Sequence, residues 1–274
     1  MKFQACCMLF MLGCCVSATA QQPAETDPDT IQSATRPDSL SSGEQQFIDL
    51  LDRDKIWQEA TAKDGFDFRV LGRYARDNEY YNNLAERFEQ ADTTLFGSDF
   101  LVLYYGYAYR DEYRGGYGGQ LWKTPMQEGK FEEAYKLLGA ALKNAPATPH
   151  ILADAFRIAL ELERPAEEIG NLQWRLGALL GWMQALGDGS SEAPIPVVNV
   201  SDEYTFMYDF LGVAQVKGQS LLKNDKGVIC DRMEVVPREG SYFTGSEIWF
   251  DVSFPITMLE SPRHWAKKLA KKEK

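Results

Sequence analysis

Two hydrophobic periods run along this chain and meet near Gly187. Up to that point apolar residues recur three and four apart; after it they alternate. Phe47, Ile48, Leu50, Leu51, Ile56 and Trp57 follow helical spacing within 44–63, and Tyr74, Tyr81, Leu84 and Phe88 form a stripe within 67–91. Beyond the turn cluster GDGSSEAPIP, the runs PVVNV, GVAQVKGQSLL, KGVICDRMEVV and GSEIWFDVSF are short, rich in Val, Ile and aromatics, and separated by turn residues. In the last of them Ile248, Phe250, Val252 and Phe254 share one face. Helices followed by strands imply an α+β fold. The expectation is a mainly helical, repeat-like layer over 43–187, then a small C-terminal antiparallel sheet of three or four strands within 188–262. A short helix at DEYTFMYDFLG, capped by Ser201 or Asp202, would interrupt the sheet.

The helical part has its own signature in GKFEEAYKLLGAALKNAPATP. Ala134, Leu138, Ala141 and Pro146 stand at offsets 0, 4, 7 and 12, resembling the second helix of a tetratricopeptide repeat. Small residues there admit a neighbouring helix, the large one fills the groove, and proline ends the helix. HILADAFRIALELERPAEEIGNLQWRLGALLGWMQAL supplies a further helix pair broken at Pro165. The segment before the repeat, GYGGQLWKTPMQE, cannot be a regular helix, so the resemblance implies a helix pair and not a full array.

The ends address the chain. Lys2, an apolar run from Phe3 to Val16 and Ala18-Thr19-Ala20 read as a signal peptide over 1–20, with cleavage before Gln21. Met11-Leu12-Gly13-Cys14 leaves open a lipid-anchored alternative on Cys14. The expectation is export, to the periplasm, to the outer membrane or into the medium, with no transmembrane segment in the mature chain. Residues 21–42, rich in Pro, Ser, Thr and Asp, read as a disordered linker, and 263–274 as a basic tail.

Four of the five cysteines fall inside the leader, so Cys230 is left alone and no internal disulfide can form. It reads as a small buried side chain. A net charge of −11 disfavours nucleic acid as a partner. With only His150 and His264 and no H-E-x-x-H, a zinc site has no ligand set, and both histidines read as surface or capping residues. G-x-S-x-G, G-x-G-x-x-G and G-x-x-x-x-G-K-[ST] are missing, so no cofactor is expected.

The stretch LVLYYGYAYRDEYRGGYGG, residues 101–119, holds six of the thirteen tyrosines. On a helix Phe96, Phe100, Leu103 and Tyr107 fall on one side while Val102, Tyr105, Tyr109 and Tyr113 fall nearly opposite. A helix apolar on two sides is one packed between neighbours; strand alternation is the competing reading. Past Tyr109, glycines give backbone freedom, and Tyr113, Tyr117 and Trp122 beside Asp111 and Glu112 are the candidate binding residues, placed to stack on a sugar ring or a peptide side chain. A loop folded back onto the helices is the alternative. Asp111 and Glu112 are also the acids nominated for carboxylate catalysis.

The tyrosine segment LYYGYAYRDEY, the turn GDGSSEAPIPVVNVSDEY, the stretch GQSLL, Asp231-Arg232-Met233 and the terminal IWFDVSFPITMLES together resemble a family of exported proteins of unknown function common in Bacteroidota. The likeness spans roughly residues 65–260. It implies one folding unit and brings no catalytic or binding residues. The functional expectation is an exported interaction protein without catalytic activity, binding an envelope protein, peptide or glycan through a helical groove or aromatic loop. The alternative is an envelope hydrolase using paired carboxylates.

Overall fold

The computed structural model describes residues 54–62, 65–113 and 120–258, all within one compact unit, Asp54–Lys274. The segments read as a leader (1–20) and a linker (21–42), the first part of the helical pattern over 44–63, Tyr117, and 263–274 with His264 lie outside the described residues.

Aspartates start the first three helices. α1 (Lys55–Thr61), α2 (Phe68–Ala75) and α3 (Asn78–Glu89) begin after Asp54, Asp67 and Asp77, whose carboxylates accept the N–H of Trp57, Arg69 and Tyr80. The helical pattern read over 67–91 is therefore two helices, divided where Asp77 caps the second. α4 (Ser98–Tyr104) follows Gly97, whose φ of 55° and close approach to Asp54 suit glycine alone. Asp54 also takes the Ser98 N–H at 2.8 Å and its hydroxyl at 2.6 Å, tying the starts of α1 and α4 together.

α4 and the 3-10 turn Gly106–Tyr109 carry the tyrosine segment, so the helical reading holds and the strand reading does not. Every residue from Phe100 to Gly106 is buried, as a helix packed on both sides requires. Phe100 stacks on Trp182, with centroids 6.3 Å apart, on one side. Tyr105 lies against Phe68 and Phe254 on the other. Tyr107 is only half-buried. At Gly106 an added Cβ would come within 2.8 Å of the Ala75 Cβ and 2.9 Å of the Leu71 carbonyl oxygen, so this turn meets α2 backbone to backbone.

After a short α5 (Lys123–Gln127), the helices α6 (Phe131–Asn144), α7 (Pro149–Glu161) and α8 (Ala166–Gln184) pack in chain order, α6 on α7 and α7 on α8. Proline at the first position of α7 supplies a helical φ where no N–H is needed. Ala134 and Leu138 are fully buried, whereas Ala141 is only half-buried and does not mark a close approach.

The sheet contains β1 (Ile195–Pro196), β2 (Val213–Lys223), β3 (Ile229–Pro237) and β4 (Glu247–Asp251) in the order β1-β4-β3-β2. It is mixed and not wholly antiparallel, because β1 runs parallel to β4. Ile248 and Phe250 are buried in alternation, but β4 stops at Asp251, whose carboxylate accepts the Ser253 N–H and opens α10 (Ser253–Met258). Phe254 thus reaches the core from a helix and not from the strand. Between β1 and β2 lie α9 (Val200–Thr205) and a π-helical stretch, Phe206–Leu211. Asn199 precedes α9 without a side-chain cap, so neither Ser201 nor Asp202 caps it. The helices and the sheet share one core, since the buried Tyr105 hydroxyl donates to the Pro196 carbonyl at 2.8 Å.

Candidate functional site

Four consecutive residues of α9 reach four different neighbours. About 100° of rotation per residue sends successive side chains in different directions, and α9 is wedged between α7, α4 and the β2–β3 hairpin. Ser201 meets Gln120 at 3.4 Å. Asp202, with no exposed surface, takes the Tyr104 hydroxyl at 2.7 Å, the His150 N–H at 3.2 Å and lies 2.7 Å from His150 Nδ1. The Tyr104 oxygen in turn accepts the Val198 N–H at 2.9 Å. Burial, then Asp202, push the Tyr104 phenol well above its ordinary range, so it remains a donor.

Glu203 is also fully buried, and neither carboxyl oxygen has a partner that could donate to it. Burial first, then the charges of Asp231 and Asp202, push its pKa up to about 9. At neutral pH it is a carboxylic acid beside Asp231. Asp231 accepts the Gln219 amide at 2.7 Å, and the amide oxygen of Gln219 accepts the Tyr204 hydroxyl at 3.1 Å. Tyr204 stacks on Tyr208, with centroids 6.3 Å apart and planes at 27°.

A second buried acid stands beside this one. Asp154 of α7 takes the Trp122 indole N–H at 2.8 Å and pairs with Lys123 at 2.7 Å and Arg157 at 3.0 Å. Arg157 also pairs with Asp209 in the π-helical stretch. The Trp122 ring stacks on His150, joining the two groups. His150 is therefore neither a surface nor a capping residue: its side chain is nearly enclosed and held by a carboxylate. That orientation is the one a general base uses, yet no serine or cysteine side chain bonds to it among the described residues. Cys230 is buried, as expected, and burial followed by the nearby Asp251 pushes its thiol up to about 11.

The residues nominated from sequence are placed otherwise. Tyr113 and Trp122 are 3% and 5% exposed, the first set edge-on against Tyr107, so neither ring is displayed on an open loop. Asp111 and Glu112 are exposed. Glu112 pairs at 3.3 Å with Arg110, which is buried over the Tyr81 ring and donates to the Ala75 carbonyl and to Asn78, joining α2 to α3. The acids that do meet are Asp202, Glu203 and Asp231, from SDEY and from Asp231-Arg232-Met233. The third and fourth positions of a short helix give no sign of this, because the partners lie far along the chain.

A family described as Domain of unknown function (DUF4919) matches residues 73–260. The chain belongs to this family. The DUF4919 match takes in Tyr104, Trp122, His150, Asp154, Asp202, Glu203, Gln219 and Asp231, the whole buried network. Neither a curated protein nor a solved structure matches the chain. Among the described residues no group of three or more His, Cys, Asp or Glu could hold a metal ion, and no helix is long and apolar enough to cross a membrane.

Proposed function

We propose that the chain is an exported, non-catalytic interaction protein whose contact surface is built on α9, the π-helical stretch and β2. The carrying observation is an exposed apolar strip above a sealed acidic interior. Val200, Tyr204 and Tyr208 stand on successive turns, with Val200 and Tyr208 exposed, and Leu221 is 62% exposed on the neighbouring strand. Asp202 and Glu203, directly beneath, have no exposed surface. Aromatic and aliphatic side chains set around a fixed polar group such as Gln219 make a surface suited to a protein or peptide. Export to the envelope belongs to the same proposal and rests on the N-terminal sequence 1–20, and a Bacteroidota-type cell rests on the family resemblance. The test is capture of an envelope partner by wild type and by a Tyr208→Ala, Leu221→Ala variant with unchanged melting. Loss of the partner in the variant supports the surface; equal capture by both removes it.

A carboxylate hydrolase is the second reading, favoured by the protonated Glu203 beside Asp231, since glycoside hydrolysis needs one acid and one carboxylate. Its acids must reach a substrate, and these are closed in. Turnover of envelope glycans that disappears in Glu203→Gln would establish it.

A further inference from the structure

β2 ends the sheet on one side and is eleven residues long. Its pairing with β3 slips at two bulges, between Val213 and Gln215 and between Val216 and Gly218, and then runs without a break over Gly218–Lys223. Asn224 N–H donates to the Val228 carbonyl at 3.0 Å, which fixes the phase of the hairpin. In an antiparallel pair hydrogen-bonded positions alternate, so Leu222 and Ser220 face β3 while Gln219, Leu221 and Lys223 turn both N–H and C=O outward. No other described segment bonds to those groups.

The side chains along this edge give it a sign and a seat. Lys217 and Lys223 are exposed, neither has an ion-pair partner among the described residues, and no acid lies between Val213 and Asn224, although the chain as a whole carries −11. Leu221 is on the same face as Gln219, which holds Tyr204 and, through it, Tyr208. A row of free amide donors and acceptors is matched only by another extended backbone. A second copy pairing antiparallel with Gln219 opposite Leu221 would set Lys217 against Lys223, and like charges directly opposite are destabilising. We propose that the free edge of β2 over Gly218–Lys223 is a strand-addition site for an extended, acidic peptide segment, with Leu221 and the Tyr204–Tyr208 pair seating one of its apolar side chains.

This inference rests on the binding surface proposed above and goes further by naming the mode and the partner's chemistry. The test uses a fluorescein-labelled peptide rich in glutamate, valine and threonine, long enough to cover Gly218–Lys223, titrated by anisotropy. Wild type should bind saturably, and more weakly as salt rises. Leu221→Glu, and the pair Lys217→Glu with Lys223→Glu, change exposed positions and should each weaken binding about tenfold or more with unaltered melting. Absence of saturable binding below about 1 mM overturns the proposal. So does binding that both edge variants leave unchanged; if Tyr208→Ala then abolishes it, the surface stands and the strand edge does not. Self-association in sedimentation that Leu221→Glu dissolves, with no peptide binding, would assign the edge to a second copy and also overturn it.

Discussion

Replacing Glu203 by glutamine should make the protein more stable at neutral pH and remove part of its pH dependence. A carboxyl whose folded pKa is raised contributes stability that is complete below its unfolded value, here 4.5, and is lost as pH rises toward the folded value of about 9. Between those limits the folded state holds a proton that the unfolded chain has released, and each pH unit costs about 1.4 kcal/mol. At pH 7 this would reach roughly 3 kcal/mol, so about 2–3 kcal/mol is the expected scale. Glutamine keeps a neutral group of the same shape at this buried position, with no proton to take up. Thermal melts of wild type and Glu203→Gln between about pH 5 and pH 8.5 read the difference. The variant should melt about 5–10 °C higher near pH 7.5, with the gap closing toward pH 5. A variant that melts no higher than wild type near pH 7.5, with the same slope, would refute a buried, protonated Glu203.

Tyr104→Phe should cost about 2–4 kcal/mol in urea unfolding, because it strips a donor from the buried Asp202 and leaves the Val198 N–H unpaired. Ala134→Leu, at a position with no exposed surface, should cost about 1–3 kcal/mol, whereas Ala141→Leu should stay within about 0.5 kcal/mol. Equal costs would mean that both alanines face a packed helix. Cys230 should resist thiol reagents at neutral pH until the protein unfolds, since its thiol is buried and held up at about 11. Rapid labelling of the native protein would place Cys230 at the surface.

The change of hydrophobic period near Gly187 fixes where helices give way to strands, and two-sided burial of the tyrosine segment follows from its own pattern. Both depend on neighbours in sequence. The buried network does not. Tyr104 and Asp202 are 98 residues apart, and His150 and Asp202 are 52 apart, so only the folded chain shows that they meet. Sequence proximity pointed to Asp111 and Glu112, whose neighbour Arg110 turns out to be a buried brace. Trp122 looked like a displayed ring because glycines precede it, but its indole N–H finds Asp154 in the interior. Phe254 continued the alternation of β4 on paper, and the Asp251 cap turns the chain into a helix one residue before it would count. The segments that carry the family resemblance, LYYGYAYRDEY, SDEY, GQSLL and Asp231-Arg232-Met233, are the ones that supply Tyr104, Asp202, Glu203, Gln219 and Asp231 to a single cluster.

Amide hydrogen exchange resolved residue by residue, with and without the acidic peptide, tests the binding account most directly. In the free protein Ser220 and Leu222, bonded to β3, should exchange slowly, while Gln219, Leu221 and Lys223 exchange fast. Added peptide should slow those three and leave the alternate two as they were. Protection that ignores the alternation, or that falls on His150 and Asp202 instead, would contradict a partner strand on the β2 edge and move the binding site into the acidic interior.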